Sequence, residues 1–156
     1  MRELEYPFNS EDLYQNKKKI RKQLLAQLDE KSCLHKKIAI LGGSTTRDIK
    51  LMLELFLLNY GIKPEFYESE FNQYYQDAMF PNPELESFAP DVIFMHTTFR
   101  NITDFPSLGD SAEAVEELLR KEYGKYEKMW KRLADVYHWH LYYPSYDNKD
   151  IQNYSE

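Results

Sequence analysis

Ser44 is the residue whose type and position point most directly to chemistry. It follows two glycines in the stretch KIAILGGSTTRDI, residues 37–49, where an apolar run gives way to three hydroxyl side chains. A serine on a tight strand-to-helix turn can act as a nucleophile when a nearby base takes its proton. Serine is also one of the most common residues at helix N-caps. The pattern therefore predicts either a nucleophile or a helix cap at Ser44, and it does not decide between them.

The residues around Ser44 predict a binding site for an oxyanion or a phosphate group. Backbone N–H groups at the start of a helix carry the positive end of the helix dipole, and Arg47 adds a full positive charge. The turn has no Gly-Lys-Ser/Thr sequence of a P-loop and no third glycine of a dinucleotide fingerprint, so nucleotide binding is disfavoured. The predicted ligand-binding residues of this turn are Gly42, Gly43, Thr45, Thr46 and Arg47.

Two more polar segments, NQYYQ and HTTFRN, follow the ends of predicted strands. Ligands bind at the carboxyl ends of parallel strands, so we expect both segments beside the Ser44 turn. The alternative for these residues is structural, with loop self-bonding, partly buried tyrosine and a hydrogen-bonded histidine. The candidate ligand-binding residues are Asn72, Gln73, Tyr74 and Gln76 in the first segment, and His96, Thr97, Thr98, Arg100 and Asn101 in the second.

A base for Ser44 is available near the C-terminus, where Asp135 and His138 read D-x-x-H. The acid can orient the imidazole, and the imidazole can take the serine proton. His138 and His140 are also spaced as a metal pair on an extended strand, but no third ligand is evident, so we predict no metal site. Cys33 lies ahead of the first strand and is expected to be an inert thiol.

The apolar periodicity predicts strands that alternate with helices, and hence an α/β fold with a parallel sheet and right-handed crossovers. Gly61 is expected at the C-terminal cap of the second helix, and Asp110 with Glu113 as a capping box of the last helix. The predicted helices cover residues 10–30, 45–60, 74–79, 83–88 and 111–134, and the predicted strands cover 37–41, 63–69, 90–97 and 136–143.

Length, composition and charge favour one folded cytoplasmic domain. The chain has 156 residues, of which 42% are hydrophobic and 29% charged, and its formal charge of −6 argues against a general nucleic-acid binder. One cysteine rules out an internal disulfide framework. The N-terminus has no apolar core of signal-peptide length and no window resembles a membrane span, so we expect neither secretion nor a membrane partner.

The segment from Lys37 to Asn101 resembles the N-terminal domain of FkbH-like proteins, which belong to subfamily IIIC of the HAD superfamily. The resemblance rests on KIAILGGSTTRDIKLMLELFLLNYGIKPEFYESEFNQYYQDAM and on PDVIFMHTTFRNI. It implies a three-layer α/β/α sandwich of the SGNH-hydrolase-like, flavodoxin-like kind. In this reading residues 1–36 form an N-terminal helical extension packed on the domain, residues 37–145 the SGNH-like domain and residues 146–156 a polar tail.

The resemblance also implies roles for the residues of the predicted site. Ser44 would be the nucleophile, and Asn101 would have to replace the missing asparagine of the family's Gly-x-Asn block. Asp135 and His138 lie earlier in the chain than the acid/base pair of the relatives. Relatives load glyceryl or similar acyl units onto acyl carrier proteins from a phosphorylated three-carbon donor. This chain has no D-x-D-x-[TV] phosphatase motif. The resemblance therefore implies no cofactor in this domain and a partner HAD domain that uses Mg²⁺.

Two functions are consistent with these residues. The first is an esterase, thioesterase or acyl (glyceryl) transferase domain in which Ser44 attacks a carbonyl carbon and backbone N–H groups of Gly43 to Thr45 stabilise the oxyanion. His138 or His96 would be its base. The second is a non-catalytic module that presents an acyl or phosphorylated small molecule, or an acyl carrier protein, to a HAD domain.

Overall fold

A computed structural model describes residues 2–137, which form five α-helices, three β-strands and two short 3₁₀ helices. The 3₁₀ helices are Arg2–Leu4 and Phe99–Asn101. The other elements, in chain order, are α1 (Ser10–Gln27), β1 (Leu34–Gly42), α2 (Arg47–Asn59), β2 (Ile62–Glu68), α3 (Tyr74–Met79), α4 (Pro83–Phe88), β3 (Val92–His96) and α5 (Ala112–Tyr137).

The three strands of the described chain form one parallel sheet in the order β2-β1-β3. Leu34 of β1 pairs with Ile62 of β2, and Gly42 pairs with His96 at the carboxyl end of β3. Helices lie on both faces of this sheet, so the predicted three-layer α/β/α fold is confirmed. β1 is buried from Ile38 onward because it is the central strand, as its continuous apolar run predicts.

In the part of the chain that the structure describes, the helices form two hydrophobic cores. In the first, α1 packs on α2 through Leu13, Ile20 and Leu24, which recur on one helical face as the sequence predicts. The second core lies on the opposite face of the sheet and joins β1 to α3, α4 and α5. Its buried members are Ala39, Leu41, Ala78, Leu85, Met129 and Leu133.

Most predicted elements are confirmed, including α3 and α4 at the residues expected. Gly61 has φ of +73° and ends α2 as predicted. α1 ends earlier than expected, at Gln27, because the backbone becomes extended at Leu28. β1 begins three residues earlier than expected, because Leu34, His35 and Lys36 already pair with β2.

Two predictions around α5 are wrong. Val136 and Tyr137 belong to this helix and not to the expected last strand, and the remainder of that segment lies outside the described residues. The Asp110 side chain does not cap the helix, since its Oδ2 atom accepts a hydrogen bond from the Ser107 N–H group at 2.7 Å. Ser111 takes the capping role, because its Oγ atom accepts from the Ala114 N–H group at 3.3 Å. Across residues 2–137, no helix is long and apolar enough to cross a bilayer.

Candidate functional site

The turn after β1 does not use Ser44 as a helix cap. α2 begins at Arg47 with Thr46 as its N-cap, and Thr46 makes no side-chain capping bond. The Thr46 hydroxyl, which is 8% exposed, donates instead to Glu68 Oε2 at 3.0 Å. The other oxygen of Glu68 accepts a hydrogen bond from Lys50. Thr46 therefore fixes the turn to the end of β2, and the cap interpretation of Ser44 is wrong.

The predicted hydrolytic constellation around Ser44 is not assembled among the described residues. Ser44 is half-buried, and within residues 2–137 its hydroxyl has no hydrogen-bond partner. The Gly43 N–H group, a predicted oxyanion donor, donates to the backbone oxygen of His96 at 2.8 Å. Asp135 is exposed on α5, and His138 lies outside the described residues.

The His96 side chain lies on the face of β3 opposite to α5. Its ring stacks on Phe94 with centroids 6.1 Å apart, so both side chains point to the same face. Ile93 and Met95 alternate with them and pack into the second core, which contains α5. His96 is therefore separated by the strand from the polar residues that α5 contributes.

Asn101 joins the three segments that the sequence places at the strand ends. Its Nδ2 atom donates to the backbone oxygen of Gly43 at 2.9 Å and to Asn72 Oδ1 at 3.4 Å. Its Oδ1 atom accepts from the Thr98 N–H group at 2.8 Å. A Cβ atom on Gly43 would lie 2.4 Å from Asn101 Nδ2, so only glycine permits this approach. Asn101 therefore holds the predicted segments together through contacts that the sequence does not reveal.

Asn72 has a left-handed backbone conformation, with φ of 60°. Asparagine tolerates this region better than most residues, although it still costs energy there. The conformation directs the chain into α3, whose first residue is Tyr74. Backbone strain of this kind is concentrated at functional sites in folded proteins.

A cleft of about 390 Å³ opens beside Asn101, between α3, the 3₁₀ helix Phe99–Asn101 and α5. Five of its residues were predicted from the sequence, and they are Asn72, Tyr74, Gln76, Arg100 and Asn101. Five more complete it, and they are Tyr75, Thr103, Lys125, Tyr126 and Met129. The other predicted residues do not line this cleft, and they are Gly42, Gly43, Ser44, Thr45, Thr46, Arg47, Gln73, His96, Thr97, Thr98 and Asp135.

Two cations, Lys125 and Arg100, line the cleft. Lys125 donates to Thr103 and to Glu122, a carboxylate that is only 8% exposed. Burial alone would raise the pKa of Glu122, but the hydrogen bonds from Lys125 and Thr103 lower the pKa below its ordinary value. Among the described residues no carboxylate pairs with Arg100, which is exposed. Arg100 therefore offers an uncompensated guanidinium group at the mouth of the cleft.

Tyrosine side chains form the other wall. Burial, together with the neighbouring Tyr126 hydroxyl, raises the pKa of Tyr74 to about 12. Tyr74 therefore stays neutral at any physiological pH and serves as a hydrogen-bonding group and not as a base. With Arg100, Lys125 and the amides of Asn72 and Gln76, the cleft can bind a small anion that also carries polar groups.

The sequence carries a signal for the contribution of α5 to the cleft. Glu122, Lys125, Tyr126 and Met129 recur at helical spacing, so they share one face of α5. A Glu and a Lys on the face that packs against the core are costly unless they are paired, so they mark a polar site.

No family model and no curated protein sequence matches this chain. Among solved structures, the chain is similar to the N-terminal part of the protein BF1531 from Bacteroides fragilis, described as containing a phosphatase domain complexed with Mg. The TM-score is 0.55 at 19% sequence identity, over 74% of this chain. The chain spans 30% of the length of that structure. At this identity, the likeness shows a shared α/β fold.

Proposed function

We propose that this chain is a binding domain that holds a small anionic ligand, of the acyl or phosphorylated three-carbon class, in the cleft beside Asn101. The observation that carries the proposal is that Arg100 and Lys125, the second of them paired with Glu122, line a cleft whose other lining residues are uncharged. Two cations with neutral donors suit a phosphate or carboxylate group joined to a short polar chain. The alternative site around Ser44 has one oxyanion donor already bonded within the protein.

The proposal predicts that binding depends on these two cations and on the charge of the ligand. Glycerol phosphate is a suitable probe, with uncharged glycerol as the comparison, and isothermal titration calorimetry measures both. Arg100→Gln and Lys125→Gln should each weaken glycerol phosphate binding by about tenfold or more, since a charge-assisted hydrogen bond contributes about 1.5–3 kcal/mol.

Arg120→Gln is the matched control, because Arg120 is an exposed cation of α5 that pairs with Glu116 and does not line the cleft. It should leave the affinity unchanged. Circular dichroism confirms that each variant is folded. If folded Arg100→Gln and Lys125→Gln bind the probe as tightly as the unaltered chain, or if the unaltered chain binds no probe, the proposal is wrong.

The domain would present its ligand to a HAD domain, with which an acyl carrier protein could also associate. The resemblance to FkbH-like proteins supports this context, as does the phosphatase domain with Mg described for the similar structure. In this arrangement the phosphoryl chemistry and its Mg²⁺ belong to the partner. Sedimentation velocity of the chain mixed with an FkbH-like HAD domain should show a complex, and two independent boundaries at high concentration would contradict it.

A second candidate function is hydrolysis or acyl transfer at Ser44. One observation favours it: the Ser44 hydroxyl is half-buried without a partner in residues 2–137, directly after the glycine that contacts Asn101. In this case Ser44→Ala should abolish turnover of a thioester or ester and prevent labelling by a fluorophosphonate. His138→Ala should do the same if His138 is the base. Equal turnover in Ser44→Ala and the unaltered chain would exclude this function.

A further inference from the structure

Three side chains with metal-binding atoms converge at the amino end of β1. Glu30 lies in the turn after α1, Cys33 directly precedes β1, and His35 is the second residue of the strand. The carboxylate, thiol and imidazole atoms all lie within 4.8 Å of one another. β1 extends for nine residues, so about 25 Å of strand separates this cluster from the cleft beside Asn101.

The backbone places these side chains together without help from a ligand. Cys33 and His35 are two residues apart in extended chain, so their side chains project to the same side. The Asp29 backbone oxygen accepts from the N–H groups of Ser32 and Cys33, at 3.1 and 2.9 Å, and this closes the turn that carries Glu30. The arrangement is therefore built into the connection between α1 and β1.

The distances fit a tetrahedral metal ion. Cys33 Sγ lies 3.5 Å from His35 Nε2. Zn–S and Zn–N bonds of about 2.3 and 2.0 Å, at the tetrahedral angle, place the two ligand atoms about 3.5 Å apart. Glu30 Oε2 lies 4.0 Å from the same nitrogen, and its side chain is 62% exposed.

Lys63 leaves the metal-facing oxygen of Glu30 available. The Lys63 ammonium donates to Glu30 Oε1, at 2.5 Å, and not to the Oε2 atom that faces His35. A hydrogen bond to the second oxygen of a coordinating carboxylate is the usual outer-shell arrangement of metal sites. A thiolate, a carboxylate and a neutral imidazole would together balance the charge of a divalent ion.

We propose that Glu30, Cys33 and His35 bind a divalent transition-metal ion of the Zn²⁺ class, with solvent as the fourth ligand. The mixed sulfur, nitrogen and oxygen donors favour Zn²⁺ over Mg²⁺ or Ca²⁺, which prefer all-oxygen sites. Binding displaces the thiol proton of Cys33 into solvent and forms the metal–sulfur bond. The sequence alone predicts no metal site and an inert Cys33, because only the turn at Asp29 brings Glu30 beside Cys33 and His35.

Cobalt(II) tests the proposal directly, because it reports its ligands by absorption. Titration of the full chain with Co²⁺ should produce the near-ultraviolet thiolate-to-cobalt charge-transfer band and the visible bands of tetrahedral cobalt. Zn²⁺ should remove both. Cys33→Ser should abolish the charge-transfer band, and His35→Ala and Glu30→Gln should each weaken Co²⁺ affinity by about tenfold or more.

Two controls address the other histidines. His96→Ala, and the double variant His138→Ala with His140→Ala, should titrate like the unaltered chain. Zn²⁺ should raise the thermal unfolding midpoint of the unaltered chain but not that of Cys33→Ser, because the ion ties the turn to β1. A folded chain that shows no charge-transfer band in excess Co²⁺, or a band that persists in Cys33→Ser, would overturn the proposal.

Discussion

The contact between Gly43 and Asn101 positions one side of the cleft. Gly43 does not line the cleft. The absence of its side chain lets the Asn101 amide reach the Gly43 backbone oxygen at 2.9 Å. Asn101 in turn contacts Asn72 and Thr98. The absence of a side chain at Gly43 therefore positions Asn101, and through it Asn72, at the cleft.

Gly43→Ala should lower the affinity for glycerol phosphate by displacing Asn101, and should destabilise the fold by about 1–3 kcal/mol through overpacking. Urea unfolding and calorimetry measure the two effects. Gly109→Ala is the matched control, because a Cβ atom there would meet nothing within 4 Å. It should change neither quantity, and equal behaviour of the two variants would contradict the role of Gly43.

Asp91 gives the fold a pH-dependent contribution at the start of β3. Its Oδ2 atom accepts from the Lys37 N–H group at 2.7 Å, and this bond, with the nearby Lys36 ammonium, lowers the pKa of the carboxyl below its ordinary value. A carboxyl whose pKa is lower in the folded state stabilises the fold above its unfolded pKa of about 4. That stability is lost as the pH falls through the folded pKa.

Asp91→Ala should therefore destabilise the protein near neutral pH and have progressively less effect below about pH 4. We expect about 1 kcal/mol, less than a charge-assisted bond usually contributes, because the side chain is 41% exposed. Urea unfolding across the pH range measures it. Glu117→Ala serves as a control, since that carboxylate is 74% exposed in a surface pair with Arg120. A constant difference at every pH would contradict the assignment.

Half of the residues that line the cleft were predicted from the sequence, because these residues follow the predicted strand ends. Arg100 and Asn101 follow a strand end, and the carboxyl ends of parallel strands are where ligands bind. Lys125 and Tyr126 lie in the middle of a long helix, and only the packing of α5 on α3 brings them to the same place. The partner of Asn101 could not be foreseen either, since Gly43 precedes it by 58 residues.

At the scale of elements, helix ends were less predictable than helix positions. Serine, threonine and asparagine all suit an N-cap, so local pattern could not choose between Ser44 and Thr46. Thr46 is the N-cap of α2 in the structure, and its hydroxyl is held by Glu68 at the end of β2. The start of α4 was predicted correctly because Asn82 suits its N-cap and Pro83 suits its first helical position.

Two glycines in or beside helices should respond oppositely to the same substitution. Gly61 has φ of +73° after α2, whereas Gly124 lies inside α5, and a Cβ atom on either would meet nothing within 4 Å. Gly61→Ala should destabilise the protein by about 1 kcal/mol because of its left-handed backbone. Gly124→Ala should stabilise it by about 0.5–1 kcal/mol through helix propensity. Thermal unfolding measures both, and shifts of the same sign would contradict the assignment of the two backbones.

At the scale of the whole molecule, the sheet separates two cores with different consequences for the cleft. Leu55 lies in the core between α1 and α2, and Leu85 lies in the core beneath α3 and α5. Both side chains are fully buried. Periodicity predicted the apolar faces, but it could not say which helices share a side of the sheet.

Leu55→Ala and Leu85→Ala should each destabilise the protein by about 2–5 kcal/mol, because each leaves a cavity. Only Leu85→Ala should also weaken binding of glycerol phosphate, since its core supports the helices that line the cleft. Thermal unfolding and calorimetry on the same samples distinguish the two. An equal loss of affinity in both variants would show that the cores do not act separately.

Met129 belongs to both places: it is 1% exposed in the second core and also lines the cleft. Binding of a ligand in the cleft is therefore expected to stabilise the folded state of the protein. A ligand present at a hundred times its dissociation constant would add about 2.7 kcal/mol to the free energy of unfolding. Candidate ligands can therefore be ranked by the melting temperature of this chain alone, without any assay of turnover.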